Sequence, residues 1–463
     1  MEICSKKDIK FITGVMAASI LLGGCTAKGN NHNHELKEDP NAKTSFNLNE
    51  VKVTDYDKDE MDKLYREYCF NIFSRTVSDY GSDDNVMISP ASIMMALDMV
   101  AAGAKGESLD QLTNLFAAGQ GPLTQQAYAS ALMDRINEAK EVEFNCANAV
   151  WNNGRILGDS VNMDYVGYIQ DTFLAQYTVT DFGKDTADEI NDWIDEHTNH
   201  MIKDAIDTLD ADTVMVLVNA ICFEGEWAEE YEDSQVSESF FTSADGSSKE
   251  AMFLHDTSSA FYETDKATGF IKFYKGGQYA FLAILPTDES ISANEFAKNF
   301  TAEDYEEFIN SVSNDYVVVS KMPEFESDFD INLNDTIAGL GADSIFAPST
   351  ADLSGMAGNP GDIYVSKIIH KTHIEVDRQG TRAAAATIVM ETCGSVMEED
   401  VPEYRYVECD RPYAYAIVDV ETMAPVFIGT RLRYPEARSA ARRRLPSPVP
   451  GTAARFTWRA TAD

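Results

Sequence analysis

Residues 213–223 read TVMVLVNAICF, an apolar run interrupted only by Thr213 and Asn219. In a strand, successive side chains point to opposite faces, so a run that is apolar on both sets needs cover above and below. The chain must therefore wrap layers around an internal sheet. Helical patterns dominate before this run. In 58–80, Met61, Leu64, Tyr65, Tyr68 and Ile72 share one helical face and Gly81 ends it. In ISPASIMMALDMVAAGA, Ser89 is placed to cap a helix and Pro90 takes its first position, where a missing N–H costs nothing. DEINDWIDEHTNHMI gathers Ile190, Trp193, Ile194 and His197 on one side. After residue 268 the pattern is of strands: GFIKFY and QYAFLAILP around Gly276 and Gly277, a two-residue hairpin signal, then YVVVSKM, IYVSKIIHKTHIEVD, RPYAYAIVDV and PVFIGTRLR. The pattern predicts an α+β protein, its sheets partly covered by helices.

Of the 463 residues, 44% are hydrophobic, enough to bury a large core, and no linker or repeat divides the chain after residue 50. One domain over 53–435 is expected. The formal net charge of −40, from 77 acidic and 37 basic residues, repels phosphate backbones and anionic lipid. Nucleic-acid binding is excluded on that ground.

Both ends read differently from the middle. Residues 1–25 hold Lys6, Lys7 and Lys10, an apolar segment too short to span a bilayer, and the ending Leu22-Gly23-Gly24-Cys25, the pattern of an export signal. That ending resembles a bacterial lipobox, in which Cys25 would carry lipid and anchor an exported protein at the cell surface. The competing reading is an ordinary signal with a chance cysteine. Residues 26–52 read as a polar tether. Residues 436–463 are basic and without apolar period, a disordered tail that is either native or a fusion scar.

Cys69, Cys146, Cys222, Cys393 and Cys409 are odd in number and dispersed, unlike a disulfide framework. Cys69, Cys146 and Cys222 have apolar surroundings and read as small buried hydrophobes. The sequence has no G-x-S-x-G elbow, no H-E-x-x-H and no phosphate loop, since GAKGES lacks the closing Lys-Ser/Thr. His197 and His200 have helical spacing for a metal pair, but no third ligand accompanies them. No cofactor or metal and no enzymatic activity is expected, and the chain is read as a monomer.

The segment GTRAAAAT, 380–387, is anomalous because alanines favour helices, yet these follow an alternating strand pattern and sit between threonines. Alone it would read as a surface helix. It belongs, however, to an ordered series: NVMISPASIMMALDMVAAGAKGES, ANAVW, INDWIDEHT, LVNAICFEGEW, MPEFE, VSKIIHKTHIEVDRQGTRAAAAT and DRPYAYAIVDVETMAPVFIGT. Together, from about Met61 to Pro435, these resemble a serpin. The resemblance implies three β-sheets, eight or nine helices and an exposed reactive-centre loop. It also implies inhibition by suicide-substrate trapping: a serine protease cleaves the loop, is held as an acyl-enzyme, and is distorted as the loop inserts into the main sheet.

On that resemblance Gly380, Thr381, Ala383, Ala384, Ala385, Ala386 and Thr387 form the hinge. With a period of two, Thr381, Ala383, Ala385, Thr387 and Val389 would point inward and Arg382 outward. Small inward residues insert without a steric barrier, and Gly380 offers backbone freedom. Roughly ten new ladder bonds at ~0.5–1.5 kcal/mol each would make the uncleaved form metastable by about 10 kcal/mol. Ser89, Ser92, Asn219 and His370 match the shutter under the main sheet and Trp227 the breach where the loop enters. Two positions depart from the pattern: Arg378 and Arg382 stand where acids are usual, which puts the breach salt bridge in doubt. Family spacing places the scissile bond at Gly394-Ser395, with any bond from Thr392 to Met397 open. Between Ala383 and Tyr404 there is no Lys, Arg, Phe, Tyr or Trp, so elastase-like or subtilisin-like targets are expected. Cys393 would be an exposed, oxidisable thiol. The competing function is a non-inhibitory serpin acting as a surface binding protein.

Overall fold

The computed structural model describes residues 47–81, 84–157, 160–202, 206, 208–209, 213–381 and 403–434. The expected leader with Cys25, most of the tether, the basic tail and residues 382–402 lie outside them. So, therefore, do Ala383, Ala384, Ala385, Ala386, Thr387, Cys393 and the candidate bonds from Thr392 to Met397, Gly394-Ser395 included. The last residues read as tether belong to the packed body: Leu48–Val53 is a 3-10 helix with Val51 buried.

All of TVMVLVNAICF but Thr213 and Val214 lies in the strand Met215–Glu226, buried on both faces almost throughout. It is internal to a six-stranded sheet ordered Phe325–Asn332, Lys367–Val376, Gly380–Thr381, Met215–Glu226, Val142–Asn153 and Gln176–Thr180. A second six-stranded sheet runs Met87–Ile88, Pro425–Arg431, Tyr413–Asp419, Tyr279–Pro286, Ala267–Phe273 and Phe261–Glu263. The third has four strands: Glu403–Glu408, Tyr316–Pro323, Ser248–Ser258 and Val236–Thr242. The three-sheet α+β architecture is as expected. Ten helices occur among the described residues, one of them the four-residue turn Gly154–Leu157.

Local signals place the covering helices. Lys58–Tyr80 is capped by the Asp57 side chain and buries Met61, Tyr65, Tyr68 and Ile72. Pro90–Gly103 starts where Ser89 Oγ accepts from the Ser92 N–H. It is apolar nearly all round because it lies in the main core, under the large sheet. A second, smaller core covers the sheet's other face, where Ile190 and Ile194 of helix Thr186–His197 belong to one cluster with Val216, Val218, Ala220, Cys222 and Ile369.

Two local expectations change. The hairpin carrying Gly276 (φ 81°) and Gly277 (φ 67°) has a four-residue loop, because the Tyr274 N–H donates to the Tyr279 carbonyl. His197 is exposed rather than part of an apolar side, stacked on Trp193 with 4.2 Å between ring centroids. Among the described residues no helix is long and apolar enough to cross a membrane.

Candidate functional site

The large sheet contains a fork. Strands Lys367–Val376 and Met215–Glu226 run parallel and pair directly from Lys367–Val216 to His373–Cys222. Above that, Gly380 and Thr381 part them: Thr381 pairs with Val376 on one side and Gly225 on the other, and Gly380 with Glu226. Gly380 and Thr381, the hinge residues among those described, are thus already laddered into the head of the sheet. Thr381 points inward as its period requires, is fully buried, and shares a hydrogen bond of 2.7 Å with the Tyr274 hydroxyl.

Gly380 has a different reason from the one expected. Its φ is not positive, so freedom to turn is not what it supplies. A Cβ there would come 2.1 Å from the Gly225 carbonyl oxygen and 2.7 Å from the Glu226 Cα, so the two backbones touch only because the side chain is missing.

The turn before it is held by Asp377, whose Oδ1 accepts the Gln379 and Gly380 N–H groups at 2.7 and 3.1 Å. Trp227 anchors that turn. Its indole N–H donates to the Asp377 carbonyl at 2.9 Å, its backbone N–H to the Gln379 carbonyl at 2.9 Å, and its ring stacks on Tyr274 at 4.6 Å. The charge-reversed breach has its own ion pair: Arg378 Nη2 donates to Asp233 Oδ1 at 2.5 Å and to the Tyr231 carbonyl at 3.3 Å. Asp233 is almost fully exposed and Arg378 partly so, which makes this a surface ion pair.

Ser89, Ser92, Asn219 and His370 come together beneath the paired part of the fork, all buried. His370 and Asn219 are direct partners across the parallel ladder. The Ser89 backbone N–H donates to His370 Nε2 at 3.1 Å, so the imidazole proton sits on Nδ1, 3.4 Å from Asn219 Oδ1. Ser92 Oγ also donates to Asn219 Oδ1, and Ser89 Oγ to the Val426 carbonyl at 2.7 Å. Asn219 Nδ2 donates to Asn148 Oδ1 at 2.7 Å, whose own amide donates to the Phe173 carbonyl at 3.1 Å. Each buried polar group therefore finds a partner, and the chain of bonds crosses the seam that insertion would open. Burial lowers the His370 pKa to about 3, which keeps the ring neutral and Nε2 an acceptor.

Sequence reading missed Tyr274, Asp377, Asp233 and Asn148. Only Asn148 left a signal, as the polar residue in the apolar stretch ANAVW. His197 and His200 are not brought together: His197 Nδ1 lies 2.7 Å from the Trp193 carbonyl, His200 Nδ1 2.8 Å from Asp195. Among the described residues Glu326, Asp328 and His373 do cluster, with donor atoms within 4.8 Å of one another on the sheet's exposed face. Burial pushes the Cys69 and Cys409 thiols up, and Cys222 is buried as well, as expected of packing cysteines. The side chain of Cys146 is outside the description.

Residues 63–434 match the family model described as Serpin (serine protease inhibitor). The chain belongs to the serpin family. It is similar to a serpin-like protein of Methanosarcina mazei, 28% identical over 93% of this chain and 99% of the relative. It is also similar to leukocyte elastase inhibitor A of Mus musculus, 28% identical over 77% of this chain and 94% of the relative. The crystal structure of the thermophilic serpin tengpin in its native state superposes with a TM-score of 0.73 and 30% identity, covering 82% of this chain and 95% of that one. Serpins are generally protease inhibitors rather than enzymes.

Two outcomes follow from this serpin's geometry. The unfolded His370 titrates near ~6.5 and the folded one near 3, so between those values the unfolded state binds the extra proton. Stability conferred by the neutral ring is complete above pH ~6.5 and falls by about 1.4 kcal/mol per unit below it. Going from pH 7 to pH 5 should remove about 2 kcal/mol that a His370→Gln variant does not lose. Urea midpoints at the two pH values measure the difference, and parallel shifts would refute it. Gly380→Val should unseat the hinge and free Thr381 from Tyr274, read as a changed Trp227 fluorescence after subtracting a Trp227→Phe blank. An unchanged difference spectrum would contradict the close backbone approach.

Proposed function

We propose that this serpin inhibits serine proteases by suicide-substrate trapping, with residues after Thr381 becoming a strand between Lys367–Val376 and Met215–Glu226 once the loop is cut. The observation that carries this reading is the buried Thr381 already laddered between Val376 and Gly225. Insertion then propagates from an existing two-residue nucleus and opens the directly paired part of the fork from His373–Cys222 downward. The inward positions that follow, Ala383 and Ala385, are small enough to pass between packed strands.

The proposed target is an elastase-like or subtilisin-like protease. Val389, Cys393, Val396 and Met397 suit small aliphatic pockets, and the similarity to a leukocyte elastase inhibitor adds support. The bond read as Gly394-Ser395 is part of this proposal, as are export, anchoring through Cys25, and a monomeric state. The rival reading is a non-inhibitory serpin acting as a binding protein. It predicts no gain in heat stability on loop cleavage, whereas trapping predicts a large one.

Incubation with pancreatic elastase should give a covalent complex that survives a denaturing gel, and the mass of the released peptide identifies the scissile bond within 392–397. Thr381→Arg, which forces a cation against Tyr274, should abolish the complex and leave cleaved protein. Undiminished complex in that variant refutes insertion, and efficient trapping of trypsin instead overturns the target class. Cys25→Ala should move the protein from the membrane to the soluble fraction and remove incorporated palmitate. Retention of both would rule out the anchor.

A further inference from the structure

Arg431 ends the strand Pro425–Arg431 and is 1% exposed, one of the largest side chains that the core encloses completely. Enclosing a guanidinium, with its charge and five N–H donors, is costly unless an anion and enough acceptors are enclosed with it. Arg431 has few of either. Its Nη1 donates to the Glu326 carbonyl at 3.2 Å, while Nε and Nη2 are buried without a hydrogen-bond partner. Among the described residues the groups that act on its charge are Tyr413, Tyr415 and Tyr434, and none is a carboxylate. Burial lowers the Arg431 pKa, yet a guanidinium starts so far above neutrality that it stays charged. The rings of Phe325 and Tyr434, centred 4.8 and 5.4 Å from the guanidinium carbon, attract a cation but do not cancel its charge.

The neighbouring strand brings further donors to the same face. Tyr413 is directly opposite Arg431 and Tyr415 is opposite Gly429, two residues along, so Arg431, Tyr413 and Tyr415 share one face of the second sheet. Both hydroxyls are buried without a hydrogen-bond partner, although Ser327 comes near that of Tyr415. Gly429 leaves them room, since a Cβ there would come 2.8 Å from the Tyr415 hydroxyl oxygen. Neither phenol can serve as the counter-ion. Burial raises the pKa of both against the pull of the Arg431 charge, so they stay protonated, and the Cys409 thiol beside Tyr413 is held neutral in the same way. Two guanidinium nitrogens and two hydroxyls therefore lack an acceptor around one uncancelled positive charge. Water would supply lone pairs but no charge; an anion supplies both.

We infer that Arg431, Tyr413 and Tyr415 form an internal site for one small monovalent anion of halide size, accepting from the guanidinium Nε and Nη2 and from the two phenol hydroxyls. A single negative charge balances a single guanidinium, whereas a divalent oxyanion would leave a buried charge of the opposite sign. The site does not depend on the insertion reading. It lies where the second sheet meets the outer strand of the first: Arg431 reaches the Glu326 carbonyl, and Phe325 beside it pairs with Val376, which in turn pairs with Thr381. A bound halide thus braces the strand that borders the hinge.

Full-length protein is melted at a fixed scan rate in chloride, with gluconate, an anion too large for the site, keeping the ionic strength constant. Raising chloride from ~5 to ~500 mM should raise the melting temperature by about 2–5 °C, the mass-action effect of a millimolar site on a chain of this size. Bromide should act alike. Arg431→Met, which fills the space without charge, should abolish the response, and Tyr413→Phe with Tyr415→Phe should move its midpoint to higher chloride. Crystals soaked in bromide should show an anomalous peak within hydrogen-bond reach of Arg431 Nε. A wild-type melting temperature indifferent to chloride, a response that survives Arg431→Met, or a bromide map without a peak at Arg431 each overturns the site. If Arg431→Met does not fold, an unmoved chloride midpoint in the tyrosine pair overturns it equally.

Discussion

The backbone ladder between Lys367–Val376 and Met215–Glu226 is the interaction around which the molecule is arranged. Parallel pairing brings together strands distant in the chain, and under the proposed insertion this seam is where the sheet would accept another strand. Side chains hold it from below: His370 and Asn219 face each other across it, and Ser89 and Ser92 tie both to the N-terminus of helix Pro90–Gly103. At the top the seam is already parted by two residues. On the insertion reading the fold would separate along this line, and the 3.4 Å contact between His370 Nδ1 and Asn219 Oδ1 is the side-chain bond that joins its two strands directly.

The hinge shows how a closed arrangement coexists with readiness to change. Gly380 and Thr381 are held by a glycine-sized gap, a threonine–tyrosine hydrogen bond and a turn built on Asp377. Each restraint is local to the head of the sheet. None resists the addition of further residues below, since those would extend the same two ladders.

Much of this was legible in the sequence where the physics is local. Ser89 and Pro90 announce a helix start, the double-faced apolar run announces an internal strand, and a period of two turns Thr381 inward. Contacts between distant segments were not. Tyr274 meets Thr381 from 107 residues away, and nothing in its hairpin distinguishes it from a packing aromatic. Asp233 is one acid among many in a strongly acidic chain, so its pairing with Arg378 had no sequence signal. Gly380 was recognised for the wrong reason, because a sequence records a missing side chain but not whether torsion or crowding demands it.

The small apolar cluster that includes helix Thr186–His197 spans the seam. In it Ile190 and Ile194 join Ile369 from one strand and Val218 and Ala220 from the other. Widening the sheet by one strand moves those two banks about 4.8 Å apart, farther than a single isoleucine pair can bridge. Under the proposed insertion one bank would be released, at a cost on the order of 2 kcal/mol for each isoleucine uncovered. On the proposed insertion the outer face would work as a ratchet pawl: it would lift once before a new strand passes and settle again on the broader surface, where its return would oppose reversal.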